Sequence, residues 1–374
     1  MTGGEGGRER RLAGDHLQTL AGEPRPTGGD AIARSRSYCA GVLEALGFGI
    51  VARQFEYSAF VGVYGTPLGG AVVLLMLCAS AGAAARSRNM LAFAIVVLAL
   101  PVLGAGGWWL GRRGVLALPV MRRRGVNLEA VRGSEKPELW LVAHLDSKSQ
   151  AVPLLLRAAG IVTLGAAWVA ALVMTALAAA GVSVDGWRLL IGVAAVGAAP
   201  VLASIVGPHS AGAVDNAAGV ATVLTAAALL PPHVPLGVLL TDAEELGLAG
   251  SRAWCRERHV KAGIALNCDG VDDVGILTLM WTRPRAPRLE RALREAALRE
   301  GDNLRVIPLI AGVLVDAVAL SDCGWEVVTL SRGTISTLRR IHTRRDDRTQ
   351  LSGSGVAIAA RTLARATSEI SRND

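Results

Sequence analysis

The sequence is poor in charge, in aromatic side chains and in cysteine. Charged residues make up 19% of the 374 residues and aromatic residues 4%, whereas hydrophobic residues reach 51% and the mean hydropathy is +0.40. The five cysteines include no C-x-x-C pair, so a disulfide framework is not expected and a reducing compartment is favoured. So little charge in so apolar a chain argues against an ordinary soluble protein and predicts membrane segments.

The charge that is present is mostly arginine, and it gives a net charge of +8. No compact basic block with interleaved aromatic residues occurs, which argues against a nucleic-acid partner. The arginine-rich start, MTGGEGGRERRLAGDHL, lacks the apolar core of a signal peptide. We expect this polar, glycine-rich segment, residues 1–24, to be disordered.

Two long stretches are almost free of charge. Residues 58–111 form two apolar runs separated by RSRN, and residues 158–207 form two runs separated by VDGWR. A bilayer crossing needs roughly 20 apolar residues, a length at which buried core helices are uncommon. The sequence therefore predicts four transmembrane helices arranged as two hairpins, although the last run is short and Pro200 would kink it.

The remaining sequence alternates apolar strand runs with helical patterns. The clearest runs are LWLVAHLD, PLGVLLT and GIALNCDG, and the charged RLERALREAALRE is typical of a surface helix. This alternation predicts an α/β fold with a mostly parallel or mixed central sheet and helices on both faces. We expect one domain over residues 25–374, interrupted by the two hairpins, with ligands at the carboxyl ends of its strands.

Residues able to bind metal recur after these strand runs. Each alone is more typical of a turn or a helix cap, and the adjacent pair Glu244–Glu245 would suit a helix N-terminus. Their joint placement favours a metal site instead. Two histidines and three carboxylates, one of them bridging, can hold two borderline metal ions. The candidates are His144, Asp146, Asp215, Glu244, Glu245, Asp269 and His342.

These residues stand in motifs that resemble the M28 family of zinc-dependent peptidases. The family patterns H-x-D-[ST], G-A-x-D-[DN]-x-x-G, E-E-x-G-x-x-G-S, N-x-D and H-[ST]-x-x-D are matched in order by HLDS, GAVDNAAG, EELGLAGS, NCD and HTRRD. The opening RPTGGDAIARSRSYCAGVLEALGFGIVARQF also resembles the entry of that family, so the similarity extends from about Arg25 to Arg365. The sequence departs from the family in having Ile341 before the last histidine and Cys323 where Ser-Asp-His is common.

The resemblance implies a role for each residue. One zinc ion would take His144 and Asp269, the second would take Glu245 and His342, and Asp215 would bridge them. Asp146 would orient the ring of His144 through its other nitrogen, and Glu244 would be the general base. Manganese or cobalt would suit the same ligand types.

The resemblance predicts a membrane-anchored dizinc peptidase that hydrolyses peptide bonds, most simply as an aminopeptidase. A carboxypeptidase or another amide hydrolase on the same scaffold remains open until substrates are compared. An inactive scaffold would lack a ligand or the base, whereas this sequence has all of them. A transporter would carry polar or charged residues inside its spans, and these spans have essentially none. The expected partners are thus a peptide or amide substrate and the lipid bilayer. Basic residues beside the spans place the catalytic side of this multi-pass cell-membrane protein in the cytoplasm.

Overall fold

The computed structural model describes residues 5–257, 263–310 and 312–372. The chain divides into two compact units. One contains the chain up to Tyr57, Arg122–Ser149 and everything from Pro208 onward, and the other contains Ser58–Met121 and Gln150–Gly207. The predicted hairpins of residues 58–111 and 158–207 both fall in the second unit.

The helices and strands are numbered in chain order. The helices are α1 (Glu5–Leu20), α2 (Asp30–Ala45), α3 (Phe60–Ala84), α4 (Asn89–Trp109), α5 (Val115–Ala117), α6 (Leu154–Ala179), α7 (Trp187–Leu202), α8 (Ala218–Leu229), α9 (Ala249–Glu257), α10 (Pro287–Arg299), α11 (Asp316–Asp322), α12 (Ile335–Arg340) and α13 (Ser354–Arg372). The strands are β1 (Gly49–Ser58), β2 (Arg122–Arg132), β3 (Leu139–His144), β4 (Ser149–Gln150), β5 (Val206–Gly207), β6 (Leu236–Thr241), β7 (Ile264–Val271), β8 (Ile276–Trp281), β9 (Leu304–Pro308) and β10 (Glu326–Gly333). Short π-helical turns cover Leu110–Gly114 and Ala213–Ala217, and a 3₁₀ turn covers Arg348–Gln350.

The first unit is built on an eight-stranded sheet in the order β1-β2-β6-β3-β7-β10-β8-β9. The central strands β6, β3, β7 and β10 run parallel. Strand β2 is antiparallel to β6, and β8 is antiparallel to β10. The predicted mixed α/β fold with a mostly parallel sheet is confirmed. Strand β1 lies at an edge of the sheet.

Strand β3 shows why the central strands read as continuous apolar runs. Leu141 and Ala143 belong to one buried cluster, whereas Trp140 and Val142 belong to another, so the strand is covered on both faces. The second cluster includes Trp254 and Trp325, whose ring centroids lie 5.2 Å apart. Because both faces of β3 are covered by apolar side chains, its polar residue, His144, lies at the carboxyl end of the strand.

Helix α1 corrects the expected disorder of residues 1–24, of which residues 1–4 lie outside the described residues. The helix covers Glu5–Leu20, and Ala13, Leu17 and Leu20 are buried in the main core. It packs against α8 and α13. The polar composition hides this face, because its apolar residues are few and gain their stability from tertiary packing.

The same helix makes folding sensitive to acid. His16 is buried, with its Nδ1 atom 2.7 Å from the Tyr38 hydroxyl, and burial lowers the pKa of His16 to about 4. The unfolded chain therefore binds an extra proton between about pH 6.5 and pH 4, and stability falls as the pH falls through that window. We expect His16 alone to lower the free energy of unfolding by about 3 kcal/mol there. Urea unfolding of the wild type and of His16→Gln in detergent, at pH 7 and pH 4, measures this; an equal pH response in both proteins would contradict it.

The second unit is a cluster of four helices, α3, α4, α6 and α7. Its interior contains Leu77, Val96, Leu164, Trp168 and other apolar side chains. Helices α6 and α7 approach closely where Gly160 faces Gly197, since an added Cβ on Gly160 would lie 2.6 Å from the Gly197 carbonyl oxygen. Small residues at helix crossings are typical of packing within membranes.

Three helical segments of this unit are long and apolar enough to cross a membrane: Phe60–Ala84, Asn89–Ala117 and Leu154–Ala179. The second of these is α4 continued through the π-helical turn and α5. The prediction of four spanning helices is corrected here. Helix α7 has 16 residues, and this gives a length of about 24 Å against a hydrocarbon core of about 30 Å. It ends at Leu202, two residues after Pro200, so the apolar run to Gly207 is not all helical.

Candidate metal centre

Three neighbouring parallel strands bring most of the predicted ligands to one edge of the sheet. His144 ends β3, Glu244 and Glu245 follow β6, and Asp269 lies near the end of β7. The sheet order β6-β3-β7 makes these three strand ends adjacent. The structure therefore brings these predicted residues together from separate parts of the chain, and Asp215 and His342 join them from loops.

Asp215 lies between the two histidines. Its Oδ1 atom is 3.1 Å from His144 Nε2, and its Oδ2 atom is 2.8 Å from His342 Nε2. Asp269 Oδ1 lies 3.7 Å from His144 Nε2, and Glu245 Oε1 lies 3.3 Å from His342 Nε2. Each histidine thus has its own carboxylate and shares Asp215 with the other.

The loop that carries Asp215 is held by side chains on both sides. Asn216 donates to the carbonyl oxygen of Cys268 at 2.8 Å and accepts from the Gly219 amide at 3.0 Å, which ties the loop to β7 next to Asp269. Asp346 accepts the Val214 amide at 2.8 Å and the Asp215 amide at 3.2 Å. Asn216 of the second motif and Asp346 of the fifth motif thus fix the backbone around the shared carboxylate.

Glu244 and Glu245 do not begin a helix. They lie in the turn after β6, and α9 begins only at Ala249. Within this turn Ala243 and Leu248 have positive φ angles of 57° and 60°, and Gly247 has 104°. These left-handed conformations fold the turn tightly, and non-glycine residues adopt them only where the surroundings hold them there. The helix-cap interpretation of the pair is wrong, and the carboxylates need other partners.

Asp146 holds this turn through its carboxylate and the histidine ring through its backbone carbonyl. Its carboxylate accepts the amides of Glu244 and Glu245, both at 3.1 Å. His144 Nδ1 lies 3.0 Å from the Asp146 backbone carbonyl oxygen, whereas the nearest Asp146 carboxylate oxygen is 3.6 Å away. The backbone carbonyl therefore places the ring hydrogen on Nδ1 and leaves Nε2 free to bind a metal ion.

Two further residues belong to the site and are missed by the sequence interpretation. Lys148 Nζ lies 2.7 Å from Glu245 Oε2, although the sequence suggests only that Lys148 is one of the basic residues near the membrane segments. Asp316 begins α11, is buried and accepts the Thr241 hydroxyl at 2.5 Å, whereas Asp322 pairs with Arg252 at 3.3 Å. Asp316 thus contacts the end of β6 through Thr241, whereas the Ser321–Cys323 segment lies at the other end of α11. The only sequence indications are a lysine directly after HLDS and an acid in an otherwise apolar run.

The buried carboxylates raise the question of what neutralises them. Burial raises the pKa of Glu244 well above its ordinary value, opposed by His144 and reinforced by Glu245 and Asp269. Burial lowers the pKa of His144, but Glu244 and the neighbouring aspartates together raise it well above its ordinary value. Buried like charges of this kind need cations among them.

The donor atoms fit divalent metal ions. The ligand atoms of His144, Glu244 and Asp269 lie within 4.8 Å of one another, and so do those of Asp215, Glu245 and His342. Among the described residues, Glu244 Oε1 and Glu245 Oε1 are buried and accept no hydrogen bond. Unsatisfied buried carboxylate oxygens beside imidazole nitrogens are the donor set that zinc uses in proteins.

Arg25 supports the loops around the site by donating hydrogen bonds to four backbone carbonyls. Its guanidinium is buried and donates to Leu145 at 2.8 Å, Ala211 at 2.7 Å, Gly212 at 3.1 Å and also Leu20. We expect Arg25→Met to lower the free energy of unfolding by about 3 kcal/mol or more, because these carbonyls lose their donor. Denaturant unfolding checks this, with Arg25→Lys as the charge-keeping control, which should recover part of the loss. Equal stability of Arg25→Met and wild type would contradict it.

Solved structures with a similar fold include aminopeptidases and glutaminyl cyclases. An aminopeptidase from Aneurinibacillus sp. strain AM-1 matches with a TM-score of 0.57 and 14% identity, covering 96% of this chain and 92% of that one. A zinc aminopeptidase from Bacillus subtilis gives a TM-score of 0.57 and 14% identity over 96% and 95%. The glutaminyl cyclase of Fimbriiglobus ruber gives 0.54 and 16% over 96% and 94%. At these identities the likeness establishes the fold, which is that of the zinc aminopeptidases.

The family follows from the sequence itself. The family model for peptidase family M28 matches residues 127–367. The chain belongs to peptidase family M28, as its motifs predict. Curated proteins contain no match to this chain.

Proposed function

We propose that the protein is a dizinc metallopeptidase that removes N-terminal residues from peptides. The observation that carries this proposal is the position of Asp215. Its two carboxylate oxygens face different histidines, at 3.1 Å and 2.8 Å, and each histidine has a further carboxylate beside it. A shared carboxylate between two N/O ligand sets suits a pair of close ions better than one ion.

In this proposal His144 and Asp269 would hold one zinc ion, Glu245 and His342 would hold the other, and Asp215 would contribute to both sites. Bound there, zinc supplies a Lewis acid, which polarises a substrate carbonyl and makes a water molecule more acidic. Lys148 holds Glu245 Oε2, so Glu245 offers its Oε1 atom to the metal. The ammonium group of Lys148 also neutralises one negative charge in a site that is rich in carboxylates.

Glu244 is the general base in this proposal. Its Oε1 atom accepts no hydrogen bond from a described residue, and its backbone is fixed by Asp146. A carboxylate beside the attacking water can take a proton from it and return that proton to the leaving amine nitrogen. The adjacent glutamates thus divide the work: Glu245 binds metal and Glu244 moves the proton.

A substrate panel tests the peptidase assignment. We expect zinc-loaded full-length protein in detergent to contain close to two zinc ions per chain and to release free N-terminal amino acids. Acetylation of the peptide N-terminus should abolish that release. The same peptide blocked at its C-terminus should still be cleaved.

Other outcomes would replace the proposal. Cleavage from the C-terminus of an acetylated peptide would identify a carboxypeptidase, and hydrolysis of simple acyl amides alone would identify an amidase. Release of ammonia from an N-terminal glutaminyl peptide, without peptide-bond cleavage, would identify the activity for which the glutaminyl cyclase neighbours are named. An inactive scaffold would bind no metal and act on none of these substrates.

We also propose that the second unit anchors the protein as a multi-pass membrane protein with its catalytic unit in the cytoplasm. Strands β1, β2 and β6 precede, separate and follow the two inserted segments, yet all three belong to one sheet. An insertion that begins and ends next to this sheet must leave and return on the same side of a membrane. The second insertion would then return through α7, whose 16 residues are about 24 Å long. The basic residues next to the sheet-bearing segments outnumber those at the far turns, which carry Arg86, Arg88 and Arg188.

A reporter that fluoresces only in the cytoplasm, fused after Asp374, tests this orientation. A fluorescent membrane-bound fusion is expected. A stable, membrane-bound but dark fusion would place the catalytic unit outside the cytoplasm, and a fusion that stays soluble would refute the anchor.

A further inference from the structure

Two thiols form a pair outside the metal centre. Cys255 lies in α9, Cys323 directly follows α11, and these two helices pack against each other. The Cys255 thiol also donates to the Ala319 carbonyl oxygen of α11 at 3.7 Å. Cys323 is exposed and Cys255 is partly exposed, whereas Cys39 and Cys268 are buried. Two helices that pack on each other therefore present one accessible dithiol.

The two thiols differ in their surroundings. The neighbouring Cys255 thiol, aided by Arg252 and Arg256, lowers the pKa of the Cys323 thiol against the effect of its partial burial. The neighbouring Cys323 and burial raise the pKa of the Cys255 thiol. A thiol that is exposed and electrostatically favoured as thiolate is the nucleophile of such a pair, and its neighbour resolves the oxidised product.

We propose that Cys323 and Cys255 are an oxidative modification site, which reacts with a hydroperoxide and closes to a disulfide between α9 and α11. The Cys323 thiolate attacks the terminal oxygen of the hydroperoxide, the O–O bond breaks, and the alcohol leaves with a proton. The Cys255 sulfur then attacks the resulting sulfenic acid, the S–S bond forms, the S–O bond breaks, and water leaves. Two thiols lose two electrons and two protons, and the hydroperoxide is reduced to an alcohol and water.

The position of the pair gives this modification a structural consequence. Helix α9 follows the turn of Glu244 and Glu245, and α11 begins at Asp316, which accepts the Thr241 hydroxyl at the end of β6. Both helices that the disulfide would join thus start beside the metal centre and end at the thiols. The modification itself uses none of the proposed ligands, so it stands independently of the proposed peptidase activity.

The test uses the full-length protein in detergent, exposed to hydrogen peroxide, then denatured and labelled with a maleimide. In the wild type, two of the five cysteines should become unreactive, and a dithiol reductant should restore both. Mass spectrometry should find the Cys255 and Cys323 peptides joined, with two hydrogen atoms lost. Cys78→Ser, which removes a thiol within α3, is the matched control and should keep the cross-link.

Single variants separate the two roles. In Cys255→Ser, Cys323 should be trapped by dimedone as a sulfenic acid, because no thiol resolves it. In Cys323→Ser, Cys255 should stay reduced at the same peroxide dose. Free thiols at both Cys255 and Cys323 in the oxidised wild type, a cross-link through another cysteine, or direct oxidation of Cys323 to sulfinic acid without a cross-link would each overturn the proposal.

Discussion

Replacing Glu244 by glutamine is expected to lower kcat by about 10²- to 10⁴-fold while the zinc content stays near that of the wild type. Glutamine fills the same space but cannot take a proton from water. Glu244 Oε1 accepts no hydrogen bond from a described residue, so the substitution breaks no contact of that atom. Steady-state kinetics on the peptide identified by the substrate panel, together with metal analysis of the same sample, measures both quantities.

The neighbouring glutamate supplies the matched control. Glu245→Gln removes the charge paired with Lys148 at 2.7 Å and weakens a proposed ligand, so metal affinity should fall along with activity. Loss of metal in Glu244→Gln with retention in Glu245→Gln would exchange the two roles. Full activity of Glu244→Gln would refute the assignment of the base.

Replacing Asp215 by asparagine is expected to reduce zinc affinity more than any other single substitution in the site. Asp215 is the one described carboxylate that contacts both histidines, at 3.1 Å and 2.8 Å, so its charge serves both ion positions. Changes that only orient a ligand weaken binding by roughly 10- to 100-fold, and loss of the shared ligand should exceed this at both positions. Competition with a fluorescent zinc chelator measures the two affinities without reference to activity.

Asp269→Asn distinguishes the two ions. This carboxylate lies beside His144 only, at 3.7 Å, so its loss should weaken one ion and leave the other bound. A variant Asp215→Asn that keeps both ions at wild-type affinity would contradict the bridging role. A circular-dichroism spectrum equal to that of the wild type shows that any loss of metal does not come from unfolding.

The sequence was most informative where a motif sits at the end of an apolar strand. His144, Glu244, Glu245 and Asp269 could be proposed together because parallel strands bring their carboxyl ends to one edge. Asp215 and His342 lie in loops and are predicted from their motifs. The mixed sheet follows from the same alternation. Local pattern and tertiary structure agree at these positions.

The remaining features depend on contacts that no local pattern contains. Helix α1 is polar overall and gains its place from α8 and α13. The turn of Glu244 and Glu245 is set by Asp146, which is 98 residues from Glu244 along the chain. Lys148 looks like a surface charge until Glu245 is placed beside it. Helix α7 ends at Leu202, although its apolar run continues to Gly207. An apolar composition allows a helix to form but does not specify the residue at which it ends.

The order of strands in the sheet has a consequence for how the protein is made. Strand β6 lies between β2 and β3, and its register pairs Leu240 with Leu128, a residue made before the whole α6–α7 hairpin. A ribosome that delivers the chain from its N-terminus therefore releases β2, with its neighbour β1, and β3 before the strand that lies between β2 and β3 appears. The sheet can be completed only after both apolar hairpins have been synthesised. We therefore expect that defects in the hairpins first reduce the fraction of chains in which the sheet-bearing unit folds.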